Sequence, residues 1–279
     1  MYSTRILTAA LTLGGVLLAQ ADSLLFWNKL GSSTEILNSA YGPNLSFYGG
    51  GSWPDATANP AYVPGVFGNA LTIGPGSYSS MSRVHNVIWS GVNSYLNSER
   101  GAVEVWFKQN ATPVDYENGI YRIFDGGFGR SSGIGLESVA GGLTFNVYFG
   151  GAVTTVQQDI SALNGNWLHV AGVWDRAGIG GSGDTVRLYL NGAVVASSAN
   201  GGWGSSVGTE ADIAGANDWN IANQFAVDNL KVYDFALTDY SHRFEENYVV
   251  PEPSVALLGI GGLLAVRIRK WRRRKLIAQ

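Results

Sequence analysis

The 279-residue chain has no cysteine, only 8 prolines and 3 histidines, and just 14% of its residues are charged. Without cysteine no disulfide can form, so the fold has to be stabilised by burial of apolar surface or by a metal. Basic residues are scarce between positions 22 and 250, where 10 Lys and Arg face 20 Asp and Glu for a net charge of −10. That balance excludes nucleic-acid binding by phosphate neutralisation and is suited to neutral sugars or divalent cations.

Glycine and aromatic residues are abundant instead, with 38 glycines and an aromatic content of 12%. This composition is typical of secreted β proteins with many turns. Helical periodicity is nearly absent. The length of residues 22–250 favours one large all-β domain over two small ones.

The first 21 residues have the pattern of a secretory signal peptide. Arg5 precedes an apolar run at Ile6–Ala19, and Ala19-Gln20-Ala21 is an A-x-A cleavage site. We therefore expect residues 1–21 to be removed on export and to form no part of the fold.

The last 30 residues carry three features in order. They are the tripeptide Pro251-Glu252-Pro253, the uncharged run Val255–Val266, and the basic tail Arg267–Lys275, which includes Arg272, Arg273 and Arg274. Residues 250–279 resemble the PEP-CTERM sorting signal of Gram-negative bacteria. The resemblance implies that an exosortase in the inner membrane recognises and removes this tail, and that the mature protein passes to the cell surface or the extracellular polymer matrix.

The physical properties of the tail agree with that expectation. Twelve uncharged residues rise only about 18 Å as a helix, against a hydrocarbon core of about 30 Å, which favours transient over permanent residence in the membrane. The basic tail keeps the C-terminus on the cytoplasmic side and leaves Pro251-Glu252-Pro253 at the outer face. An ordinary tail anchor remains the alternative.

Several segments alternate with the period of two that predicts strands with one buried face. In 102–107, Val103, Val105 and Phe107 share one face. The other predicted strands lie at Leu143–Phe149, Trp167–Trp174, Val186–Leu190, Ala193–Ala196 and Phe225–Tyr233. Asn191-Gly192 between two alternating runs predicts a hairpin with a type I′ turn. Thr238 is expected to cap a short helix that ends near Glu246.

These segments also carry a second resemblance. Five motifs occur in order: Phe67-Gly-Asn-Ala-Leu71, Val103-Glu-Val-Trp106, Asn166-Trp-Leu-His-Val-Ala171 with Trp174-Asp175, Val186-Arg-Leu-Tyr-Leu-Asn-Gly192, and Val227-Asp-Asn-Leu-Lys-Val-Tyr233. They are similar to the motifs of the laminin-G-like, concanavalin A-like jelly rolls. The resemblance covers about residues 65–246 and implies an all-β sandwich of two antiparallel sheets. We expect the whole domain to span residues 22–249, with a signal helix before it and a short apolar helix after it. Residues 22–64 are expected to supply the first strand and an edge loop.

The sequence lacks the residue patterns of common hydrolases. No E-x-D-x-x-E run places an acid and a nucleophile on one strand, and Asp115 and Glu117 fall in a polar loop. Ser131 satisfies G-x-S-x-G, but glycines surround it where a strand and a helix are required. We therefore predict no catalytic residue and a protein that is not an enzyme.

A calcium ion is the cofactor that the jelly-roll resemblance implies. Relatives hold structural Ca²⁺ with an Asp of the final strand, which matches Asp228, and with backbone carbonyls. Asp125 lies in a turn-like segment that offers further oxygens. The alternative is that Asp228 accepts hydrogen bonds from neighbouring loop amides.

Four tryptophans occur in polar, glycine-rich segments: Trp53, Trp89, Trp203 and Trp219. Sugar rings pack on exposed aromatic faces, so these side chains are candidates for a ligand-binding platform. The alternative is that they close the ends of the sandwich over its core.

Together these features predict an exported, exosortase-processed protein whose jelly roll binds carbohydrate or matrix without catalysis. Its expected partners are the exosortase, the inner membrane before processing, and an extracellular polysaccharide, with no nucleic acid. Two alternatives remain. One is a lyase or glycosidase that uses scattered residues such as Tyr116, Arg122 and His169, and the other is a purely structural adhesion protein.

Overall fold

The computed structural model describes residues 23–50, 55–76, 83–113, 119–127, 132–217 and 221–248. The predicted signal peptide and the predicted sorting signal, with their helices, lie outside the described residues. One short helix, α1, spans Ser33–Leu37. The strands, in chain order, are β1 Leu24–Asn28, β2 Ser46–Phe47, β3 Asp55–Thr57, β4 Pro60–Pro64, β5 Asn69–Ile73, β6 Arg83–His85, β7 Val87–Ser90, β8 Arg100–Gln109, β9 Ile120–Asp125, β10 Ile134–Val139, β11 Gly142–Val147, β12 Thr154–Asp159, β13 Leu168–Asp175, β14 Val186–Leu190, β15 Ala193–Ser198, β16 Glu210–Asn217 and β17 Phe225–Tyr233.

The strands form two sheets that pack face to face, which confirms the predicted all-β jelly-roll sandwich. Sheet A has the order β15-β14-β13-β8-β17-β5-β4, with β1 also paired to β17. Sheet B has the order β12-β11-β10-β9-β16-β6-β3, with β7 beside β16 and β2 beside β7. All pairings are antiparallel except that of β3 with β6.

The core lies between the sheets and is built by the period-two alternation seen in the sequence. Val103, Val105 and Phe107 of β8 are buried in it, as predicted. From sheet B, β11 contributes Leu143, Phe145 and Val147 to the same core. Because successive side chains of a strand point to opposite faces, the residues between these point outward, away from the core.

The predicted hairpin is confirmed in its turn geometry. β14 pairs with β15 across Asn191 and Gly192, whose φ angles are 54° and 87°. A type I′ turn requires positive φ at both central positions, which Asn and Gly adopt most readily. β17, which matches the predicted last strand, is central in sheet A between β8 and β5.

The chain after β17 crosses the outer face of sheet A. The prediction of a helix from Thr238 to about Glu246 is wrong. Only a 3₁₀ helix forms, at Ser241–Phe244, and its N-cap residue Tyr240 makes no side-chain capping bond. Phe235, Leu237 and Tyr240 are instead buried in a second apolar cluster on sheet A. Burial of these large side chains outweighs the weak helix signal of Thr238. No helix within the described ranges is long and apolar enough to cross a membrane.

Candidate functional site

The outer face of sheet B carries two rows of polar side chains that run across five neighbouring strands. Strand register aligns the first row, from β16 to β12, as Asp212, Asp125, Gly135, Asn146 and Thr155. The same pairings align the second row as Gly215, Arg122, Glu137, Thr144 and Gln157. We call these the polar rows of sheet B. They begin with charged residues near the middle of the sheet and end with neutral ones at its β12 edge.

Arg122 organises the charged end of the polar rows. Its Nε lies 3.7 Å from Asp125 Oδ2 and its Nη1 lies 3.8 Å from Asp212 Oδ2. Its Nη2 donates to Asn217 Oδ1 at 2.7 Å. His85 of β6 joins the group, because its Nδ1 lies 2.9 Å from Asp212 Oδ2. All these side chains except that of Asn217 are more than nine-tenths buried, so their mutual attraction is weakly screened.

Asp125 was predicted as a secondary calcium ligand, and its carboxylate lies among protein donors. Tyr148 donates its hydroxyl to Asp125 Oδ1 at 3.0 Å, and the Gly127 amide lies 3.3 Å from the same oxygen. Oδ2 faces Arg122. A carboxylate so occupied is positioned to fix Arg122 and Tyr148.

The neutral end of the polar rows is a chain of hydrogen bonds that reaches solvent. Thr155 donates its hydroxyl to Asn146 Oδ1 at 2.7 Å, and Asn146 Nδ2 donates to Glu137 Oε2 at 3.2 Å. Asn146 and Glu137 are buried, whereas Thr155 and Gln157 are exposed. The accessible part of this face therefore presents hydroxyl and amide groups, which both donate and accept hydrogen bonds.

The outer face of sheet A carries a separate buried ionic cluster around Glu104 of β8. Oε2 of Glu104 lies 3.1 Å from His169 Nε2, and Oε1 accepts from the Tyr233 hydroxyl at 2.7 Å. Lys231 Nζ and His242 Nε2 lie 4.0 Å and 3.6 Å from the same Oε1. We call these five residues the Glu104 cluster.

The Glu104 cluster holds the C-terminal segment on sheet A. His242 belongs to that segment, and Lys231 Nζ donates to the backbone carbonyl of Tyr248 at 3.2 Å. Burial by itself raises the pKa of the Glu104 carboxyl, but contacts with His169, His242 and Lys231 outweigh it and hold the pKa well below its usual range. Burial lowers the pKa of Lys231, an effect that Glu104 opposes. Glu104 is therefore a carboxylate that balances the buried ammonium group of Lys231.

Asp228, the predicted calcium ligand, is fully buried on β17 and accepts hydrogen bonds from two loop amides. Val66 N and Phe67 N donate to its Oδ2 at 2.7 Å and 2.9 Å. Burial raises the pKa of this carboxyl to about 7, although the two amides oppose the shift. Among the described residues Oδ1 has no hydrogen-bond partner. The alternative prediction, that Asp228 accepts hydrogen bonds from loop amides, is thus confirmed for Oδ2. Oδ1 can bind a proton or a cation.

A metal at Asp228 would depend on main-chain oxygens. Within the ranges that the structure describes, no three His, Asp or Glu side chains are grouped so as to hold a metal ion. Calcium accepts carbonyl oxygens and water beside a single carboxylate, so Oδ1 of Asp228 fits such a site as one of its ligands.

The expectation of exposed tryptophan faces is wrong for two of the four candidates. Trp89 is fully buried and stacks on Phe26 with ring centroids 4.4 Å apart. Trp203 is 2% exposed and donates its Nε1 to the Ser98 carbonyl at 2.7 Å. Both rings extend the core, as the alternative stated. Trp53 and Trp219 lie outside the described residues.

Arg122 and His169, two of the three residues suggested for an enzyme, do not come together. Arg122 lies on the outer face of sheet B and His169 on the outer face of sheet A, with the core between them. Tyr116 lies outside the described residues, as do Ser131, Asp115 and Glu117. The polar rows were not predicted from the sequence, although Arg122 and Asn146 each lie between two apolar residues of their strands, which was the signal available.

Comparison with solved structures agrees with this architecture. The chain is similar to the botulinum neurotoxin type G receptor binding domain at 12% identity and a TM-score of 0.56, over 80% of this chain and 51% of that one. It is also similar to the botulinum neurotoxin serotype D binding domain, at 14% identity and a TM-score of 0.58, over 81% of this chain and 52% of that one. The binding domain of Paraclostridial Mosquitocidal Protein 1 is similar at 17% identity and a TM-score of 0.56, over 77% of this chain and 49% of that one.

This chain thus spans about half the length of these domains, and identities this low show the fold alone. No curated protein matches the sequence significantly. A family model described as the concanavalin A-like lectin/glucanases superfamily, Laminin_G_3, matches residues 85–240, which is more than half of the chain. Those residues run from β6 to the buried Tyr240 and include both polar rows and most of the Glu104 cluster. The protein belongs to this concanavalin A-like family.

Proposed function

We propose that this protein binds carbohydrate without cleaving it, using the polar rows of sheet B. The observation that carries the proposal is the neutral end of the rows, where exposed Thr155 and Gln157 continue into buried Asn146. Sugar hydroxyls both donate and accept hydrogen bonds, and hydroxyl and amide side chains match them in both roles. Membership of the concanavalin A-like family and the similarity to solved binding domains support the same class of function.

We also propose that the binding domain is exported and retained outside the cell. Support comes from the signal-peptide pattern at 1–21 and from the resemblance of 250–279 to an exosortase-processed tail. The route is transient residence in the inner membrane of a Gram-negative bacterium, removal of the tail by an exosortase, and retention at the surface or in the extracellular polysaccharide.

The processing proposal is tested by intact-mass measurement on protein from the native host. The mature form is expected to lack residues up to Ala21 and the basic tail. Detection of Arg272, Arg273 and Arg274 in the mature surface fraction would contradict processing and would favour the tail-anchor alternative.

The binding proposal is tested on a glycan array with the protein purified from its native host. We expect retention on one or more polysaccharides, and no release of reducing ends or unsaturated products from them. Absence of binding to every glycan would instead favour the purely structural adhesion protein.

One observation favours a second function, a polysaccharide-active enzyme. His85 and Asp212 form a buried pair at 2.9 Å beside Arg122, and a carboxylate that orients an imidazole is a common arrangement for general bases. Product release from a bound polysaccharide, lost in His85→Ala while binding persists, would establish this activity in place of simple binding.

A further inference from the structure

Trp167 is the one tryptophan of the described residues that is partly exposed to solvent. It precedes β13 by one residue and belongs to neither of the two apolar clusters. Within the described ranges its indole makes no hydrogen bond and no ring contact. Because Leu168 points into the core and side chains alternate along a strand, Trp167 points to the outer face of sheet A. An indole face without a protein partner can pack against a ligand there.

Lys108 of β8 lies beside Trp167. Leu168 pairs with Phe107 in the antiparallel register of β13 with β8, so the residue before Leu168 lies next to the residue after Phe107. Phe107 points into the core, and Lys108 therefore points outward, as Trp167 does. Lys108 is partly exposed and forms no ion pair with any described residue. Facing Cβ atoms of paired strands are about 5 Å apart, so an ammonium group without a counter-ion lies beside the indole.

The C-terminal segment adds Arg243 and Phe244 to the same end of sheet A. Trp106, two residues before Lys108 and on the same face of β8, donates its Nε1 to the Arg243 carbonyl at 3.2 Å. The Phe244 ring lies 5.4 Å from the Trp106 ring, and the Arg243 guanidinium lies 4.5 Å from the centre of the Phe244 ring. Phe244 is 63% exposed. We call Trp167, Lys108, Arg243 and Phe244 the aromatic-cationic surface.

Arg243 is held in place by neutral groups. Its Nη1 donates to the Tyr240 carbonyl at 3.1 Å. A Cβ at Gly192 would lie 3.1 Å from the same nitrogen, so the glycine of the hairpin turn leaves room for the guanidinium. In the part of the chain that the structure describes, no carboxylate forms an ion pair with Arg243. A guanidinium that is already positioned and lacks a counter-ion binds an anion with a small cost in side-chain ordering.

The neighbouring carboxylates act on other cations. Glu246 pairs with Lys29 at 3.1 Å, and Glu104 lies 4.0 Å from Lys231. Glu245 also lies close enough to Lys231 to act on its charge. Charges farther away than about 8 Å are largely screened at physiological salt. The two cations of the aromatic-cationic surface therefore set the local potential, although the domain as a whole is acidic.

The four side chains define the chemistry of a ligand. Apolar faces of sugar rings pack on indole and phenyl rings. Lysine and arginine side chains only donate hydrogen bonds, so carboxylate, sulfate and phosphate groups, which accept and carry negative charge, match them best. Neutral glycans, to which the polar rows are suited, lack such a group.

We propose that the aromatic-cationic surface binds an acidic saccharide. The sugar rings pack on Trp167 and Phe244, and the anionic group contacts Lys108 and Arg243. This inference goes beyond the function proposed above, because the polar rows lie on the opposite sheet. The two sites can be tested independently of each other.

The first test measures binding of the full chain to polygalacturonate, dextran sulfate and unmodified dextran. We expect wild type to prefer an acidic polymer to the neutral one, and the two acidic polymers distinguish a carboxylate ligand from a sulfate ligand. Trp167→Ala should lower that affinity about tenfold, with a melting temperature within a few degrees of wild type because Trp167 packs in neither apolar cluster. Tyr41→Ala is the matched control, since it removes an aromatic side chain that is 52% exposed elsewhere. Unchanged binding by Trp167→Ala would overturn the inference.

The second test compares two variants that each remove one positive charge. Lys108→Gln should lower the affinity for the acidic polymer several-fold and make the remaining binding less sensitive to salt. Arg83→Gln is the control, because Arg83 is an exposed cation of β6 in sheet B. An equal loss in both variants would show non-specific attraction between charges and would overturn the site.

Vesicles of phosphatidylglycerol and phosphatidylcholine distinguish the saccharide from a membrane surface, which also attracts aromatic and basic side chains. We expect any vesicle binding by the full chain to be the same in wild type, Trp167→Ala and Lys108→Gln. Vesicle binding that both variants lose, without binding to an acidic polymer, would overturn the saccharide and assign a lipid surface. A wild-type protein that binds neutral glycans but no acidic polymer would overturn this inference and leave the proposed function intact.

Discussion

The outer faces of the two sheets carry similar residue types and arrange them differently. On sheet A the polar residues form the Glu104 cluster, which the chain's own C-terminal segment covers beside a buried apolar patch. On sheet B the polar rows begin in buried charge at Arg122 and end in exposed neutral groups at Thr155 and Gln157. Sheet A thus uses its polar residues to attach a segment of the same chain, and sheet B has polar groups that reach solvent, where a ligand can meet them.

The first prediction breaks the Glu104 cluster. Glu104→Ala leaves Lys231 buried beside two histidines without the carboxylate that lies closest to it, and breaking a buried ion pair in this way costs about 3 to 5 kcal/mol. Urea unfolding should show that loss, while glycan affinity stays unchanged because sheet B is untouched.

Glu99→Ala is the control for that experiment. Glu99 pairs with Arg176 at 3.6 Å, but its side chain is 68% exposed, so its loss should change the free energy of unfolding by less than about 1 kcal/mol. If Glu104→Ala cost no more than Glu99→Ala, the cluster would not hold the C-terminal segment.

The second prediction concerns Asp228, also on sheet A. Its pKa in the folded protein, about 7, exceeds the reference value of 3.8, so its stabilising contribution is fully present below about pH 4 and is lost as pH rises through about 7. At roughly 1.4 kcal/mol per pKa unit the loss is at most about 4 kcal/mol. Asp228→Asn should flatten the stability profile between pH 4 and 8, and a wild-type profile already flat there would contradict the shift.

Calcium is proposed as the alternative to the proton at Asp228. At pH 8 the carboxylate is charged, and a bound Ca²⁺ adds about 2.7 kcal/mol at a hundredfold excess over its dissociation constant. The melting temperature at pH 8 should therefore rise in calcium and fall in chelator, and Asp228→Asn should remove the difference. An unchanged melting temperature in chelator would show that the protein binds no stabilising calcium. A calcium effect that persists in Asp228→Asn would show that the ion binds at another site.

The sequence allowed the strands to be predicted where the signal is local. β8, β17 and the Asn191-Gly192 hairpin depend on alternation and turn chemistry within a few residues, and these predictions are confirmed. The candidate site depends on register between distant strands. Asp212 and Asp125 are 87 positions apart in the chain, and their adjacency follows from the pairing of β16 with β9.

The same limit explains the individual errors. Glu104 and His169 were each placed on a strand, but their contact requires the β8–β13 pairing, and His242 joins them only because the C-terminal segment folds back over sheet A. Trp89 precedes Ser90-Gly91 and Trp203 lies between glycines, yet the fold buries the first against Phe26 and bonds the second to the Ser98 carbonyl. Local composition does not report which segments meet in space.

The smallest effect on stability is expected at the exposed end of the polar rows, where the contrast between the sheets is sharpest. Gln157→Ala removes a solvent-exposed side chain, so the free energy of unfolding should change by less than about 0.5 kcal/mol. Its neighbour Gln158 provides the matched control, because adjacent residues of β12 point to opposite faces of the sheet. Only Gln157→Ala should weaken glycan binding, several-fold by isothermal titration calorimetry against a ligand from the array. Equal effects of the two variants on affinity would show that this face of sheet B is not where the saccharide binds.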